Sequence, residues 1–481
     1  MKKQLNIRQT QPVEVPVPKP KTFNWWKFSI KIFALFFMVV FVIIFTDKKG
    51  FFTADQTNNH IRKKWASFYD FTKNKEVDVI ILGNSHIITG VDPFVLSNAT
   101  SSTCFILGNS GTGIIDAWFQ LGEALKQTQP KLVILETFCI NDQVKHEGED
   151  IPYLQSFDAQ KNVFYKLKSM PQLFHSDSWV EAWSPTIRNH SFIFTDTARI
   201  KHNLQRPRDR KSPKLDLGRF ARFGIGLQDS TLQKYEESGA HVNGKEYQIS
   251  DFSRKYLRKI MNMCKAKDIQ VLFLSVPMYY QHISNYEILK KTLNKELKKY
   301  PEAKWLDLQM PYDTTIYTPD KFENTYSANQ HLSNLGMMVT AYKLAGFISE
   351  NYPNLLPDRS KDPVWIEDFK STEHFVYNQY VTGGMKGYAS ILKDKKIGGF
   401  HIRELVLQEN KESNRLLLKI ARQKNLPSVL NVQFNVNMLG NQFNSALQMN
   451  SIKEIMHPQH QIYMVDLKKE VKINTIVGIM D

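Results

Sequence analysis

The chain has 481 residues, of which 42% are hydrophobic and 23% charged, and a formal net charge of +16. That composition excludes a chain disordered throughout, and the length allows two or three domains. Three cysteines, Cys104, Cys139 and Cys264, exclude a disulfide scaffold, and no paired spacing of zinc ligands is present.

Residues 1–27 form a basic, Pro-containing tail, with Lys2, Lys3, Arg8, Lys19, Lys21 and Lys27 against the single acid Glu14. Its QTQPVEVPVPKPKT stretch reads as extended chain without a fold of its own. The run IKIFALFFMVVFVIIF (30–45) carries one charge, Lys31, at its edge, where the stem can snorkel. Extended to 28–46, it is about 28 Å long as a helix, which matches a hydrocarbon core of about 30 Å. Trp25 and Trp26 fall where an interfacial aromatic belt belongs. The heavier basic flank predicts a cytosolic N-terminus and a periplasmic or extracellular body. The run is long for a signal-peptide core and no small-residue cleavage site follows it, so an uncleaved single-pass anchor in membrane lipid is expected.

Residues 47–76 read as a partly helical connector. VDVIILG (77–83), CFILG (104–108), KLVILETF (131–138), IQVLFLSVP (269–277) and AKWLDL (303–308) are short apolar runs suited to buried parallel strands. Helical patterns at 114–127, 253–267, 284–299 and 337–351 alternate with them, which predicts an α/β domain over 77–351. The rhythm fails between about 142 and 252, an expected insertion of aromatic-rich helical pieces that could cap a site. The Pro-rich stretch 351–363 marks a boundary. Alternating segments at 399–409, 413–423, 428–437 and 460–467 predict a C-terminal all-β module over 364–481, sandwich-like in form. Cys104 and Cys139 lie in strand-like surroundings and read as buried thiols. The basic loop at Arg206, Arg208, Arg210, Lys211 and Lys214 suits anionic headgroups or acidic polysaccharide, or is simply solvated. An exported body argues against nucleic acid.

Candidate chemistry sits at strand ends. Ser85, in Gly83-Asn84-Ser85-His86, directly follows the first strand, where ligands bind in open parallel sheets. A serine there serves as a nucleophile or, more plainly, as a helix cap. His331, before the last helix of the domain, would supply the base such a serine needs. Gly111, after the second strand, allows a backbone N–H close to a substrate oxygen, and Asn141, after the third, offers a side-chain amide. Each has an ordinary structural reading as a turn or loop residue.

Taken in order, Ser85, Gly111, Asn141 and His331 resemble the four blocks of the SGNH/GDSL hydrolase superfamily, closest to membrane-anchored bacterial members with a G-x-S-H first block and an H-L-x-x-x-G last block. The resemblance covers about 77–351, outside the insertion. It implies a three-layer α/β/α sheet and an acyl-transfer mechanism needing no metal or organic cofactor. Ser85 would be the nucleophile and His331 the base, with Gly111 and Asn141 as oxyanion donors. It also implies O-acetylation or deacetylation of envelope polysaccharide, with that polysaccharide or an acyl donor, and a membrane O-acyltransferase, as partners. A non-catalytic glycan-binding or assembly protein on the same scaffold is the alternative. The sequence departs from the family at three places: Asn84 stands where Asp is usual, Asn141 lies one residue late, and Ala328 replaces the Asp three residues before the His. A backbone carbonyl, Asn329 or Glu323 would then have to hold the imidazole.

Overall fold

The computed structural model describes residues 24–53, 60–141, 151–205, 217–218, 242–322, 331–366, 388–409, 413–421, 423, 426–438, 441–451, 460–468 and 472–480. Among them a single helix, Trp25–Lys49, is long and apolar enough to cross a membrane, and none of it is buried against the rest of the chain. Asn24 caps its start by accepting the Lys27 N–H (3.1 Å). Gly50 ends it in the left-handed conformation at φ 74°.

The body is built on five parallel strands: β1 (Val79–Leu82), β2 (Cys104–Ile106), β3 (Leu132–Glu136), β5 (Gln270–Ser275) and β7 (Lys304–Asp307). Their order is β2-β1-β3-β5-β7. Counted within this sheet, that is 2-1-3-4-5, and the order reverses between β1 and β3. β1 to β3 are buried throughout, as the unbroken apolar runs require. A two-stranded parallel pair, β4 (Val242–Asn243) and β6 (Ile283–Ser284), lies apart. Helix Pro93–Thr100 packs against Asn334–Asn351, and Ile114–Ala124 packs against Asp251–Lys265.

The connector between anchor and sheet is not a loose linker. Helix His60–Phe71 sinks Ile61, Trp65 and Phe68 fully into the main core, and the Phe68 ring meets Phe105 of β2 edge-on at 5.0 Å. Each such side chain removed from water contributes about 2 kcal/mol. Between β3 and β5 the described residues include six short α-helices, from Ile151–Ala159 to Thr197–Gln205, and a 3-10 turn at Ser176–Ser178. The expected basic loop from Arg206 to Lys214 lies outside the described residues.

The C-terminal region is antiparallel throughout, but the expected two-sheet sandwich is corrected. Seven strands, β8 (Tyr388–Ile397), β9 (Phe400–Glu409), β10 (Ser413–Ala421), β11 (Val429–Met438), β12 (Asn441–Ser451), β13 (His460–Lys468) and β14 (Lys472–Met480), form one sheet. Its order is β14-β11-β12-β13-β10-β9-β8. The sheet curls until its two edge strands, β14 and β8, touch. A Cβ on Gly398 would lie 3.0 Å from the Ile479 carbonyl oxygen. The physical reason is edge protection: a curled sheet leaves little unpaired backbone and encloses its own core of Ile402, Leu405, Leu418, Val432, Phe434 and Tyr463. The opposite face of β10 and β13 carries the paired residues Leu417 and Met464, which join the α/β core instead. The β region is thus docked on the body.

Candidate active site

Gly83, at φ +149°, leads out of β1, and a Cβ there would fall 2.6 Å from the Glu136 Cβ. Only glycine lets the exits of β1 and β3 run this close. Asn84 Oδ1 accepts the His86 N–H (2.9 Å) and so caps the short helix Ser85–Ile88. This accounts for Asn in place of Asp, because an amide oxygen caps as a carboxylate does. Ser85 is half-buried at the first helical position, where the backbone N–H has no intrahelical partner. Its carbonyl accepts from the Thr89 N–H (3.1 Å) and hydroxyl (2.8 Å).

The loop after β2 is pinned beside this turn, with the Asn109 N–H donating to the Gly83 carbonyl (3.0 Å). Asn109 Nδ2 donates to the Pro152 carbonyl (2.8 Å) and to Ser156 Oγ (2.9 Å), and the Gly113 N–H donates to the Tyr153 hydroxyl (2.7 Å). The first helix of the insertion therefore sits on this loop. Buried Lys64, from the connector helix, donates to the Gly108 carbonyl (2.6 Å). Gly111 is exposed at φ +70°, in the left-handed region that favours glycine, with Pro152 as its neighbour.

β3 ends in Glu136, whose carboxyl accepts the Phe138 N–H (2.6 Å) and Cys139 N–H (3.1 Å) and shapes a 3-10 turn over Phe138–Asn141. Burial pushes this carboxyl up to about 8, against the pull of those two donors. Asn141 Oδ1 accepts the Gln248 N–H (3.2 Å), which turns its amide nitrogen to donation elsewhere. Tyr247 donates to the Thr137 carbonyl (2.9 Å), and burial raises its phenol.

His331 opens the last segment and is buried. Leu332 bridges to Phe322, and Ser333 caps helix Asn334–Asn351 by accepting the Gly336 N–H (3.2 Å). The His331 ring stands edge-on to His86, 5.7 Å between centroids, and the Phe138 ring covers His86 at 4.7 Å. Burial first, and the neighbouring His331 second, lower His86 to about 3. His86 is therefore a neutral imidazole at ordinary pH. Behind it a small cavity is lined by Glu136, Phe138, Ser275, Val276 and Tyr286.

Ser85, Gly111, Asn141 and His331 thus all follow strands or precede the last helix at one edge of the sheet. The His331 loop reaches the Ser85 turn through His86, and the Asn141 turn reaches it through Phe138. Gly111 stays at the rim, on a loop held by the insertion. Ala328, Asn329 and Glu323 fall outside the described residues. Among the described residues no group of three His, Cys, Asp or Glu is arranged to hold a metal ion. Sequence reasoning missed Glu136 and His86 as shaping residues. A carboxylate ending the buried run Leu132–Glu136 was the available signal for the first.

No family model and no curated protein sequence matches the chain. Among solved structures it is similar to a gut microbial diltiazem-metabolizing enzyme at 12% identity and a TM-score of 0.27, over 77% of this chain and 60% of that one. It also aligns with β-glucosidase 3B from Thermotoga neapolitana in complex with glycerol at 10% identity and a TM-score of 0.13, over 85% and 82% of the two chains. Scores this low define neither a shared fold nor an activity. The class rests on the sheet itself: an α/β protein with a parallel sheet, a docked antiparallel β region and one apolar N-terminal helix.

Proposed function

We propose that the chain is a membrane-anchored serine esterase or O-acyltransferase of the SGNH type, acting on acyl esters, acetyl foremost, of envelope polysaccharide. The observation that carries the reading is the approach of the His331 loop to the Ser85 turn at the carboxyl end of β1, with the His86 and His331 rings 5.7 Å apart. That point is where the strand order reverses, the usual ligand position in such sheets. Right-handed crossovers would place the two helix pairs on opposite faces, which supports a three-layer α/β/α arrangement.

In this mechanism His331 takes the Ser85 proton as Ser85 Oγ bonds to the ester carbonyl carbon. The Ser85 and Gly111 N–H groups and the Asn141 amide hold the oxyanion. The ester C–O bond breaks and His331 returns the proton to the leaving alcohol. Water or a sugar hydroxyl then attacks the acyl-serine and gives its proton to His331, which passes it to Ser85 Oγ as the acyl–Oγ bond breaks. His86, kept neutral, acts as a positioning residue for His331. The exported body, the anchor in membrane lipid and the β region as a glycan platform belong to the same proposal.

A second reading, a non-catalytic glycan-binding or assembly protein, draws on Ala328, which stands where an orienting Asp would be expected. Fluorophosphonate labelling of the full-length protein separates the two. The enzyme reading expects a single labelled site that Ser85→Ala abolishes, with turnover falling by about 10³-fold or more. Folded wild-type protein that takes no label, with envelope function intact in Ser85→Ala, supports the second reading instead.

A further inference from the structure

The end of the anchor helix is bolted to the helical insertion. Asp47 Oδ2 accepts the Ser184 hydroxyl (2.6 Å), and Oδ1 accepts both the Thr186 N–H (2.7 Å) and its hydroxyl (2.6 Å). Asn189 Nδ2 donates to the Phe52 carbonyl (2.8 Å), and Asn203 Nδ2 to those of Phe51 (3.1 Å) and Thr53 (2.9 Å). Asp47 stands two residues beyond Phe45, the last apolar residue of the run, a rise of about 3 Å. The insertion is therefore fixed at the level where the hydrocarbon ends.

Its surface is unlike the rest of the protein. Outside the anchor helix, nine of the fourteen exposed large hydrophobic residues among the described residues lie in 151–205. Phe164 is 84% exposed and Phe194 86%, and Leu167, Val180 and Ile193 are also open to solvent. Isolated exposed apolar residues need no explanation, but this concentration on one segment does. Lys161, Lys166 and Lys168 flank Phe164 and Leu167 in sequence; Lys168 is exposed, the Lys161 ammonium lies over the Tyr69 ring (5.1 Å), and the Lys166 ammonium lies over the Phe157 ring (4.4 Å) and the Trp183 ring (5.6 Å). Aromatic and apolar residues among lysines are the composition of interfacial membrane helices.

We infer that the segment 151–205 is a second membrane contact, lying in the headgroup zone of the bilayer that the anchor helix crosses, with Phe164 and Phe194 dipping toward the acyl chains and Lys168 among anionic headgroups. The inference rests on the anchor spanning the bilayer, but not on any chemistry at Ser85. Continuity with the anchor, through Asp47, selects lipid over a protein partner as the occupant.

Nitroxide labels report depth. The three native cysteines are buried, so labels go to Phe164→Cys, Phe194→Cys, the anchor control Val39→Cys and the distant exposed control Lys291→Cys. Each full-length protein is reconstituted in phosphatidylethanolamine–phosphatidylglycerol vesicles, at about one copy and at many copies per vesicle. The expected result is that labels at 164, 194 and 39 collide with oxygen at least tenfold more than with an aqueous nickel chelate, relative to the label at 291, at either copy number. Labels at 164 and 194 that behave like 291 while 39 stays protected overturn the inference. Protection seen only at many copies per vesicle assigns the face to a second copy of the chain and overturns it too. Protection found only in native membranes assigns the face to a protein partner and likewise overturns it. An aqueous label at 39 removes the anchor and the inference together.

Discussion

Glu136→Gln isolates the cost of a buried carboxyl at the edge of the candidate site. Glu136 is 1% exposed, and its burial raises it from 4.5 to about 8. The folded state therefore keeps a proton that the unfolded state releases between pH 4.5 and 8. Stability from this group is complete below 4.5 and lost as pH rises through that window, by about 1.4 kcal/mol per pH unit. Between pH 5 and 7.5 the expected loss is about 3.5 kcal/mol relative to the glutamine variant. The glutamine amide carries no titrating proton, so subtracting the two stability curves cancels every other group. The variant's amide nitrogen cannot accept, so it also loses the bond that the hydroxyl oxygen of the protonated carboxyl accepts from one of the Phe138 and Cys139 N–H groups, about 1 kcal/mol over the range in which Glu136 keeps its proton. Denaturant unfolding of the detergent-solubilised proteins at pH 5, 6, 7 and 7.5 gives the difference. Parallel curves would refute the reasoning. A wild type that gains on the variant as pH rises would show the two backbone donors holding Glu136 ionised, against desolvation.

Three further perturbations test the same edge and its support. His86 has the opposite sign: its folded value of about 3 lies below the ordinary 6.5, so its contribution is present above 6.5 and lost as pH falls toward 3. His86→Leu is expected to flatten the acid limb of the stability curve by about 1.4 kcal/mol per unit between pH 6 and 4, read by the same unfolding series extended down to pH 4. Gly83→Ala forces a Cβ to 2.6 Å from the Glu136 Cβ at φ +149° and is expected to cost about 3 kcal/mol, seen as a lowered unfolding midpoint. Arg359 grips buried Asp78 with two bonds of 2.7 Å and reaches Glu76 at 2.8 Å. Arg359→Ala leaves the Asp78 carboxylate without its cation and is expected to cost about 3–5 kcal/mol in denaturant unfolding.

The parallel sheet was legible because four of its five strands, all but β7, are almost wholly buried, which leaves unbroken β-branched runs such as Val79–Leu82. Three strands of the β region were not. β8 is lysine-rich, as an edge strand is, and among its described side chains β12 buries only Met449, so neither shows clean alternation. β14 buries Ile473, Ile476 and Ile479, a spacing of three that its register shifts against β11 impose. Single-sheet closure was hidden for a different reason: nothing in a strand's own residues says which edge it meets. Three of the four candidate residues were read from their positions after strands and His331 from its place before the last helix, and the turn that caps Ser85 follows from local chemistry at Asn84. The His86–His331 approach joins positions 245 residues apart, and no local pattern reports it. The insertion was read as helical pieces without bounds, because four- and five-residue helices such as Phe192–Thr195 are too short to set a period.

The insertion also relates the candidate site to the apolar N-terminal helix. It leaves the sheet after β3, and it returns to the same edge, where Gln248 bonds Asn141 and Tyr247 bonds Thr137. Its first helix holds Asn109 and Gly113 beside the Ser85 turn, while its Ser184 and Thr186 hold Asp47 at the end of the anchor. One helical layer thus connects the site edge to the point where the apolar helix ends. On the proposed function, a site held this way would meet esters carried at the bilayer surface before esters in bulk water. Asp47→Ala cuts that link without touching the candidate catalytic residues. Losing three half-exposed hydrogen bonds to a carboxylate costs at least about 1.4 kcal/mol, a factor of about ten in the population of the held geometry. The expected outcome is a roughly tenfold fall in turnover of an ester displayed on vesicles, with a soluble acetyl ester hydrolysed at the wild-type rate. An equal fall on both substrates would mean that Asp47 supports the fold alone, and no fall on either would mean that the layer does not orient the site.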